Sequence, residues 1–226
     1  MVITIPRLLN ASQVAEFQAI LGSARWIDGK ATAGYLSSRA KSNTQTPEDE
    51  PVAHRLGGVI QAELDRNQLF IAAALPLKVL PPLFNRYGVG QSYGAHIDGA
   101  VQPLAGSHHQ VRTDLSATVF LTDPAQYDGG ELVIGAAGGE RAVKLPAGDL
   151  VLYSGGTIHH VRPVTRGVRQ AAFFWVQSMV RDDTRRELLF DLDSTIQQLG
   201  HAGADHTACV RLAGIYHNLL RHWADT

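Results

Sequence analysis

Apolar residues recur at helical spacing in the first third of the chain. The segments NASQVAEFQAILGSA and EPVAHRLGGVIQAELDRN both place large apolar residues three or four positions apart. This spacing is typical of an amphipathic helix, so we predict two helices, the first capped by Asn10 or Ser12. A short strand, VITIP, precedes them. Residues 29–50, which are rich in Gly, Ser, Thr and charge, are predicted to form a loop with strand pieces.

From residue 77 to residue 180 the pattern changes to that of strands. Short runs rich in Val, Leu, Phe and Tyr, such as LKVLPPLFNRY, DLSATVFLT, DLVLYS and RQAAFFWVQSMV, are separated by Gly, Pro and Asp. Many short strands with regular turns predict a sandwich or barrel. We find no helical pattern between these runs, which argues against a parallel α/β sheet.

Helical spacing returns from about residue 181, in RRELLFDLDSTIQQLG and CVRLAGIYHNLLRHW. The predicted fold is therefore α+β and mainly β. Flanking helices and a loop occupy 1–76, a β core occupies 77–180, and a helical segment occupies 181–226. Both C-terminal helices are amphipathic, so packing on the core and pairing between subunits as a homodimer stay open.

Composition excludes several classes of protein. The 226 residues are 45% hydrophobic and carry a formal net charge of −1, so no basic field favours nucleic acid or an anionic membrane surface. No apolar run approaches the ~20 residues that span a bilayer. The single cysteine, Cys209, excludes an internal disulfide and fits a reducing compartment. Because the N-terminus also lacks a signal-peptide pattern, we expect a cytoplasmic protein.

The segment QSYGAHIDGA contains two candidate metal ligands, His96 and Asp98, which are two residues apart. Residues at this spacing in a strand point to one face, so both can reach one metal ion from a strand and the turn after it. His159 is the best candidate for a third ligand, because it follows one apolar strand and begins another in LVLYSGGTIHHVRPV. Two histidines and one carboxylate form the facial triad of non-haem Fe(II) oxygenases. His160 would face the opposite way, so only one of these neighbouring histidines can be a ligand.

The other histidines show no comparable arrangement, and we expect structural or solvated roles for them. They are His54, His108, His109, His201, His206, His217 and His222.

Arg169 is a candidate for binding an anion. Strand alternation places it on one face with Ala171, Phe173 and Trp175, so it is expected to point into a pocket. A buried guanidinium needs an anion, and the local sequence offers no acid. A ligand carboxylate suits its two-pronged geometry. Without the metal triad, a surface arginine at the start of a strand would be the preferred interpretation.

Four segments closely resemble the bacterial PKHD-type hydroxylases: YGVGQSYGAHID, DGGELVI, GDLVLYSGGTIHHVRPVTRGVR and FFWVQSMVRDD. These enzymes belong to the Fe(II)- and 2-oxoglutarate-dependent dioxygenases related to prolyl hydroxylases, and the resemblance covers nearly the whole chain. It implies a double-stranded β-helix, or jelly roll. It also implies that His96, Asp98 and His159 bind Fe(2+), and that Arg169 binds the distal carboxylate of 2-oxoglutarate.

The resemblance further implies co-substrate contacts from Tyr87 and Tyr93. The implied reaction hydroxylates a C–H bond while 2-oxoglutarate and O2 give succinate and CO2, with L-ascorbate as a family-level reductant. Two alternatives stay open: a zinc-dependent hydrolase on the same triad, and a non-catalytic iron or 2-oxoglutarate sensor whose C-terminal helices bind a partner. A nucleotide site at GVGQSYG is disfavoured, because its glycines do not fit the Gly-x-Gly-x-x-Gly spacing.

The sequence leaves the substrate open, and kinship with prolyl hydroxylases suggests a peptide only by analogy. The loops 29–50 and 99–112 are expected to cover the pocket mouth. Arg112, close to Asp114, is predicted either to contact substrate or to be solvated at a strand end.

Overall fold

The computed structural model describes residues 1–32, 34, 37–104, 108–136 and 138–226. The described residues form five α-helices and seventeen strands, with short 3-10 helices between some of them. The helices are α1 Ala11–Leu21, α2 Pro51–Arg66, α3 Gln68–Ala74, α4 Asp183–His201 and α5 His206–Trp223. None of these helices has the length and apolar character needed to cross a membrane.

Most of the strands are short, as predicted from the Gly, Pro and Asp residues that frequently separate the apolar runs. They are β1 Val2–Ile5, β2 Ile27–Asp28, β3 Lys41–Ser42, β4 Thr44–Gln45, β5 Pro76–Val79, β6 Leu83–Tyr87, β7 Ser92–His96, β8 Val101–Pro103, β9 Gln110–Arg112, β10 Leu115–Phe120, β11 Asp128–Gly129, β12 Leu132–Ala136, β13 Gly139–Val143, β14 Leu150–Ser154, β15 His159–Val161, β16 Val164–Arg166 and β17 Arg169–Ser178.

Two antiparallel sheets build the core. The larger sheet has the strand order β1-β14-β10-β17-β6-β4-β2, with β5 also paired to β17. The smaller sheet has the order β13-β12-β15-β7-β3. Most neighbouring strands in these sheets are far apart in sequence, which is the crossover pattern of a jelly roll. The predicted α+β, mainly β fold with a double-stranded β-helix is confirmed.

Strand alternation divides the apolar residues between two cores. In β10, Leu115, Ala117 and Val119 pack towards α1 and α2, while the intervening Ser116 and Thr118 line the space between the sheets. A second apolar cluster, which includes Leu132 and Val151, fills part of that inner space. The larger sheet therefore presents an apolar face to the helices and a partly polar face to the interior.

The predicted N-terminal helices are present, and Asn10 rather than Ser12 caps the first. Its side chain accepts a hydrogen bond from the Gln13 backbone, and the Gln13 side chain accepts one from the Asn10 backbone. This reciprocal pair satisfies N–H groups that lack partners inside the helix. Phe17 of α1 packs edge-on against Phe84 of β6, with ring centroids 6.1 Å apart, which fixes the helix on the larger sheet.

Three local details differ from the sequence-based expectation. The run LKVLPPLFNRY forms two strands, β5 and β6, because Pro81 and Pro82 have no N–H for a sheet ladder. Helix α3 was not predicted. It is only seven residues long, too short to show a period, and Asn67 caps it by accepting a hydrogen bond from Phe70 N. Finally, β8 and β9 pair within the stretch 99–112, which was expected to be a loop.

The C-terminal segment is helical, as predicted. Leu75, Val180 and Leu189 form a small buried cluster, against which Tyr216 and Trp223 of α5 are partly buried. No described residue of α5 is fully buried. The division of the chain at residues 76/77 and 180/181 stays a prediction, as does the homodimer.

Candidate active site

A cavity between the two sheets contains all six residues predicted to bind metal or co-substrate. His96 is the last residue of β7 and His159 is the first residue of β15. The two strands are neighbours, and these residues are directly opposite each other in the register. Asp98 follows β7 by two residues and turns towards the same point. Sheet pairing therefore brings together ligands that lie far apart along the chain.

The three side chains form a compact set of potential metal ligands. One atom from each of His96, Asp98 and His159 lies within 4.8 Å of the others. Asp98 Oδ1 is 3.8 Å from Nε2 of His96 and 3.8 Å from Nε2 of His159. Among the described residues, no other group of His, Cys, Asp and Glu has this geometry. The nitrogen and oxygen donor set fits a divalent transition metal.

Backbone contacts fix the tautomer of both histidines. His96 Nδ1 lies 2.8 Å from Gly94 O, and His159 Nδ1 lies 2.9 Å from Thr157 O. A carbonyl oxygen can only accept, so each Nδ1 carries the hydrogen and each Nε2 presents a lone pair to the cavity. Burial, together with the neighbouring His159, lowers the pKa of His96, which favours the neutral ring that binds metal.

Asp98 is oriented by a residue that the sequence analysis missed. Ser116 Oγ donates a 2.5 Å hydrogen bond to Asp98 Oδ2. This contact leaves Oδ1, the oxygen nearest both histidines, free to bind as a single-oxygen ligand. Ser116 could have been found from its strand, because it and Thr118 are the alternating polar residues of an otherwise apolar segment.

Arg169 points into the same cavity and is only 2% exposed. Its guanidinium carbon lies 5.4 Å from the centroid of the Tyr87 ring and 5.2 Å from that of Phe120. No carboxylate of the described residues lies within ion-pair distance of it, and its Nε has no hydrogen-bond partner among them. A buried cation in this state needs an anionic ligand. Burial raises the pKa of Tyr87 to about 12, although the charge of Arg169 opposes the shift, so this phenol stays protonated.

Two more tyrosines flank the histidines. The Tyr93 ring stacks on His96, with centroids 3.6 Å apart and an angle of 20° between the planes. Tyr153, which the sequence analysis did not single out, meets His159 edge-on at 5.1 Å. Burial and the nearby Asp98 carboxylate raise the pKa of Tyr153 well above its usual value. Both rings restrict the orientation of the imidazole groups.

The stretches predicted to cover the pocket mouth lie partly outside the described residues. They contribute the cavity-lining residues Gly34, Lys41, Gly99 and Gln102. Arg112 has a structural role instead. Its Nε and Nη2 bind the two oxygens of Asp114 at 2.6 and 2.9 Å, and Nη2 also donates to Ser178 O. This pair ties β9 to the end of β17, so Arg112 is ion-paired at the strand end rather than solvated there, and contact with substrate stays a prediction.

Comparison with known proteins identifies the family. Residues 82–177 match the model of the 2OG-Fe(II) oxygenase superfamily, and residues 183–225 match the PKHD-type hydroxylase C-terminal domain. A PKHD-type hydroxylase of Methylobacillus flagellatus is 52% identical over 227 residues, with both chains covered completely. The chain belongs to the PKHD-type hydroxylases. It is therefore a 2-oxoglutarate-dependent dioxygenase of the Fe(II) class, and neither the zinc-hydrolase nor the sensor alternative is retained.

Solved structures of lower identity support the fold. A prolyl hydroxylase from Trichoplax adhaerens, in complex with a hypoxia inducible factor peptide fragment, has a TM-score of 0.57 at 15% identity, covering 83% of this chain and 86% of that one. HygX from Streptomyces hygroscopicus, with nickel, 2-oxoglutarate and hygromycin B bound, has a TM-score of 0.52 at 18% identity, covering 78% and 82%. At these identities the similarity concerns the jelly roll alone.

Proposed function

We propose that His96, Asp98 and His159 bind the Fe(II) of this hydroxylase through Nε2, Oδ1 and Nε2. One observation carries the proposal: three ligand atoms converge in the same cavity as a buried arginine that has no carboxylate of the described residues in reach. The tautomers of both histidines and the hydrogen bond from Ser116 already present the required lone pairs. Three protein ligands leave coordination positions for co-substrate and O2.

Arg169 is proposed to bind the distal carboxylate of 2-oxoglutarate. Its planar fork matches a carboxylate, and the Tyr87 phenol beside it remains a hydrogen-bond donor at neutral pH. We assign Tyr87 to the same carboxylate. Tyr93 lines the cavity but stacks on His96, so its proposed role is to orient the imidazole and to limit access of water.

The bound iron supplies activation of O2, coupled to conversion of 2-oxoglutarate into succinate and CO2. The protein's own contribution is to position and shield the reactants. Tyr87 and Tyr153 stay protonated because their pKa values are raised, so neither adds a negative charge to the cavity. L-Ascorbate as the reductant and a cytoplasmic location are further proposals, based on the family and on the single cysteine.

Removing Arg169 tests this assignment. Loss of one partner from a buried ion pair costs about 3–5 kcal/mol, or roughly two to four decades in affinity. We expect Arg169→Ala to weaken 2-oxoglutarate binding by this amount while the metal affinity changes little. Arg169→Lys should recover part of the loss, because lysine keeps the positive charge but cannot form the two parallel hydrogen bonds of a guanidinium. Titrating 2-oxoglutarate into the anaerobic Fe(II) protein and following the charge-transfer absorption measures the effect. Unchanged affinity in Arg169→Ala would assign the carboxylate to another residue.

The fold does not decide the substrate. Of the similar structures, one holds a peptide fragment and another holds hygromycin B. A peptide and a small metabolite both remain candidate substrates, and the choice depends on the residues of this cavity rather than on its architecture.

A further inference from the structure

A second buried cation lies in the cavity and has no role in the proposed binding of iron or 2-oxoglutarate. Lys41 is on β3, opposite Tyr93 of β7 in the register, and is 5% exposed. It lines the cavity together with the three proposed metal ligands. Lysine is seldom buried so completely unless its charge is paired.

No carboxylate among the described residues pairs directly with Lys41. Its Nζ donates a 2.9 Å hydrogen bond to Gln45 Oε1 and lies 5.2 and 5.8 Å from the ring centroids of Tyr93 and Phe173. An ammonium has three N–H groups, and a buried charge with one neutral acceptor is costly. Burial lowers the pKa of Lys41 to about 8, although the more distant Asp98 and Asp28 carboxylates oppose the shift, so the group is still charged at pH 7.

Lys41 and Arg169 occupy different parts of the cavity. Arg169 lies beside Tyr87 and Phe120, whereas Lys41 lies beside Tyr93, whose ring stacks on His96. The distal carboxylate of 2-oxoglutarate needs only one cation, and the arginine fork is the better match. A second anion is therefore needed on the side of the cavity where Lys41 lies.

A count of formal charges leads to the same requirement. A divalent metal, Arg169 and Lys41 would bring four positive charges, while Asp98 and 2-oxoglutarate would bring three negative ones. One positive charge remains uncompensated in a largely desolvated site. One further carboxylate would neutralise it.

We propose that Lys41 binds a carboxylate of the primary substrate, an inference that rests on the proposed function. Phe173 and Trp175 form an aromatic wall of the same cavity, with ring centroids 5.6 Å apart. The substrate is thus an acid whose apolar part packs on this wall. The carboxylate belongs either to a small free carboxylic acid or to an acidic side chain of a peptide. Both present the same group to Lys41.

Matched acid and amide probes test the proposal on protein loaded with Ni(II) and 2-oxoglutarate, which binds without turnover. One pair is 3-phenylpropionate and 3-phenylpropionamide, and the other is acetyl-Phe-Glu-Phe-amide and its glutamine counterpart. Calorimetric titration gives each Kd. We expect one acid to bind at least about tenfold more tightly than its amide, equivalent to about 1.4 kcal/mol. The pair that shows the preference identifies the source of the carboxylate.

Variants of Lys41 connect the preference to this residue. Lys41→Met should reduce the acid-to-amide ratio to within about twofold of unity, while Lys41→Arg should retain most of it. The control is Lys78→Met, which changes an exposed lysine of β5 and should leave the ratio intact. If Lys41→Met is unstable, Lys41→Gln also removes the charge and must give the same loss.

Three results would overturn the proposal: no acid preference in the wild type for either pair, a preference that survives in the uncharged variants, or a tenfold loss of 2-oxoglutarate affinity in those variants. The last result would assign Lys41 to the co-substrate. Failure of the proposed function is recognised separately, because the wild type would then not bind 2-oxoglutarate before any probe is added.

Discussion

The hydrogen bond from Ser116 to Asp98 allows a quantitative test of how the metal site is organised. Ser116 is 3% exposed, and its hydroxyl donates to Asp98 Oδ2 at 2.5 Å. Ser116→Ala leaves that oxygen without its donor and lets the carboxylate rotate away from the histidines. A hydrogen bond to a charged group is worth about 1.5–3 kcal/mol, and loss of such a supporting contact typically reduces metal affinity 10- to 100-fold. We expect a loss in this range for Ser116→Ala.

Competition with a chelating dye under anaerobic conditions measures this affinity. Ser42→Ala is the matched control, because Ser42 is an exposed serine on β3. Melting curves of the metal-free proteins separate a change in stability from a change in the site. At saturating metal, the affinity for 2-oxoglutarate should remain near that of the wild type. Wild-type metal affinity in Ser116→Ala would refute the argument that this hydroxyl holds Asp98 in place.

Three further predictions concern the site and the fold. His159→Ala should abolish metal binding measured by dye competition, whereas His160→Ala should retain most of it, because only the first side chain lines the cavity; equal losses would contradict the assignment. Gly148 has φ +96°, and an added Cβ would lie 2.2 Å from a backbone carbonyl oxygen, so Gly148→Ala should lower the free energy of unfolding by about 2 kcal/mol or more. Gly58→Ala, in an open position of α2, should raise it by about 0.5–1 kcal/mol, and denaturant titration compares the two. Arg112→Lys should lower the free energy of unfolding by about 1 kcal/mol without changing the affinity for 2-oxoglutarate. A lower affinity for 2-oxoglutarate in this variant would instead give Arg112 a role in binding.

The proposed metal ligands could be predicted because their signals are local in sequence. His96 ends β7 and Asp98 follows it by two residues, a spacing that indicated a shared site, and His159 begins a strand that follows an apolar one. Alternation along β17 predicts that Arg169 lies on the inner face of the strand, and the burial of the Arg169 side chain agrees with this prediction. Periodicity likewise predicted the two sheets' short strands and the C-terminal helices.

The supporting residues could not be predicted from local pattern because they depend on which strands meet. Ser116 reaches Asp98 across the space between the sheets, and Lys41 enters the cavity only because β3 pairs with β7. Tyr153 meets His159 only because β14 and β15 bring the two rings together. Strand pairing at long sequence separation is the information that the periodic pattern does not contain.

The central claim is that one cavity holds iron on His96, Asp98 and His159 and 2-oxoglutarate on Arg169. An anaerobic crystal structure with Fe(II) and 2-oxoglutarate, with anomalous data collected at the iron edge, tests it most directly. We predict one strong iron peak bound by the three side chains, with the distal carboxylate of 2-oxoglutarate on the Arg169 guanidinium. An iron peak elsewhere, or a distal carboxylate bound to Lys41 in place of Arg169, would contradict the account.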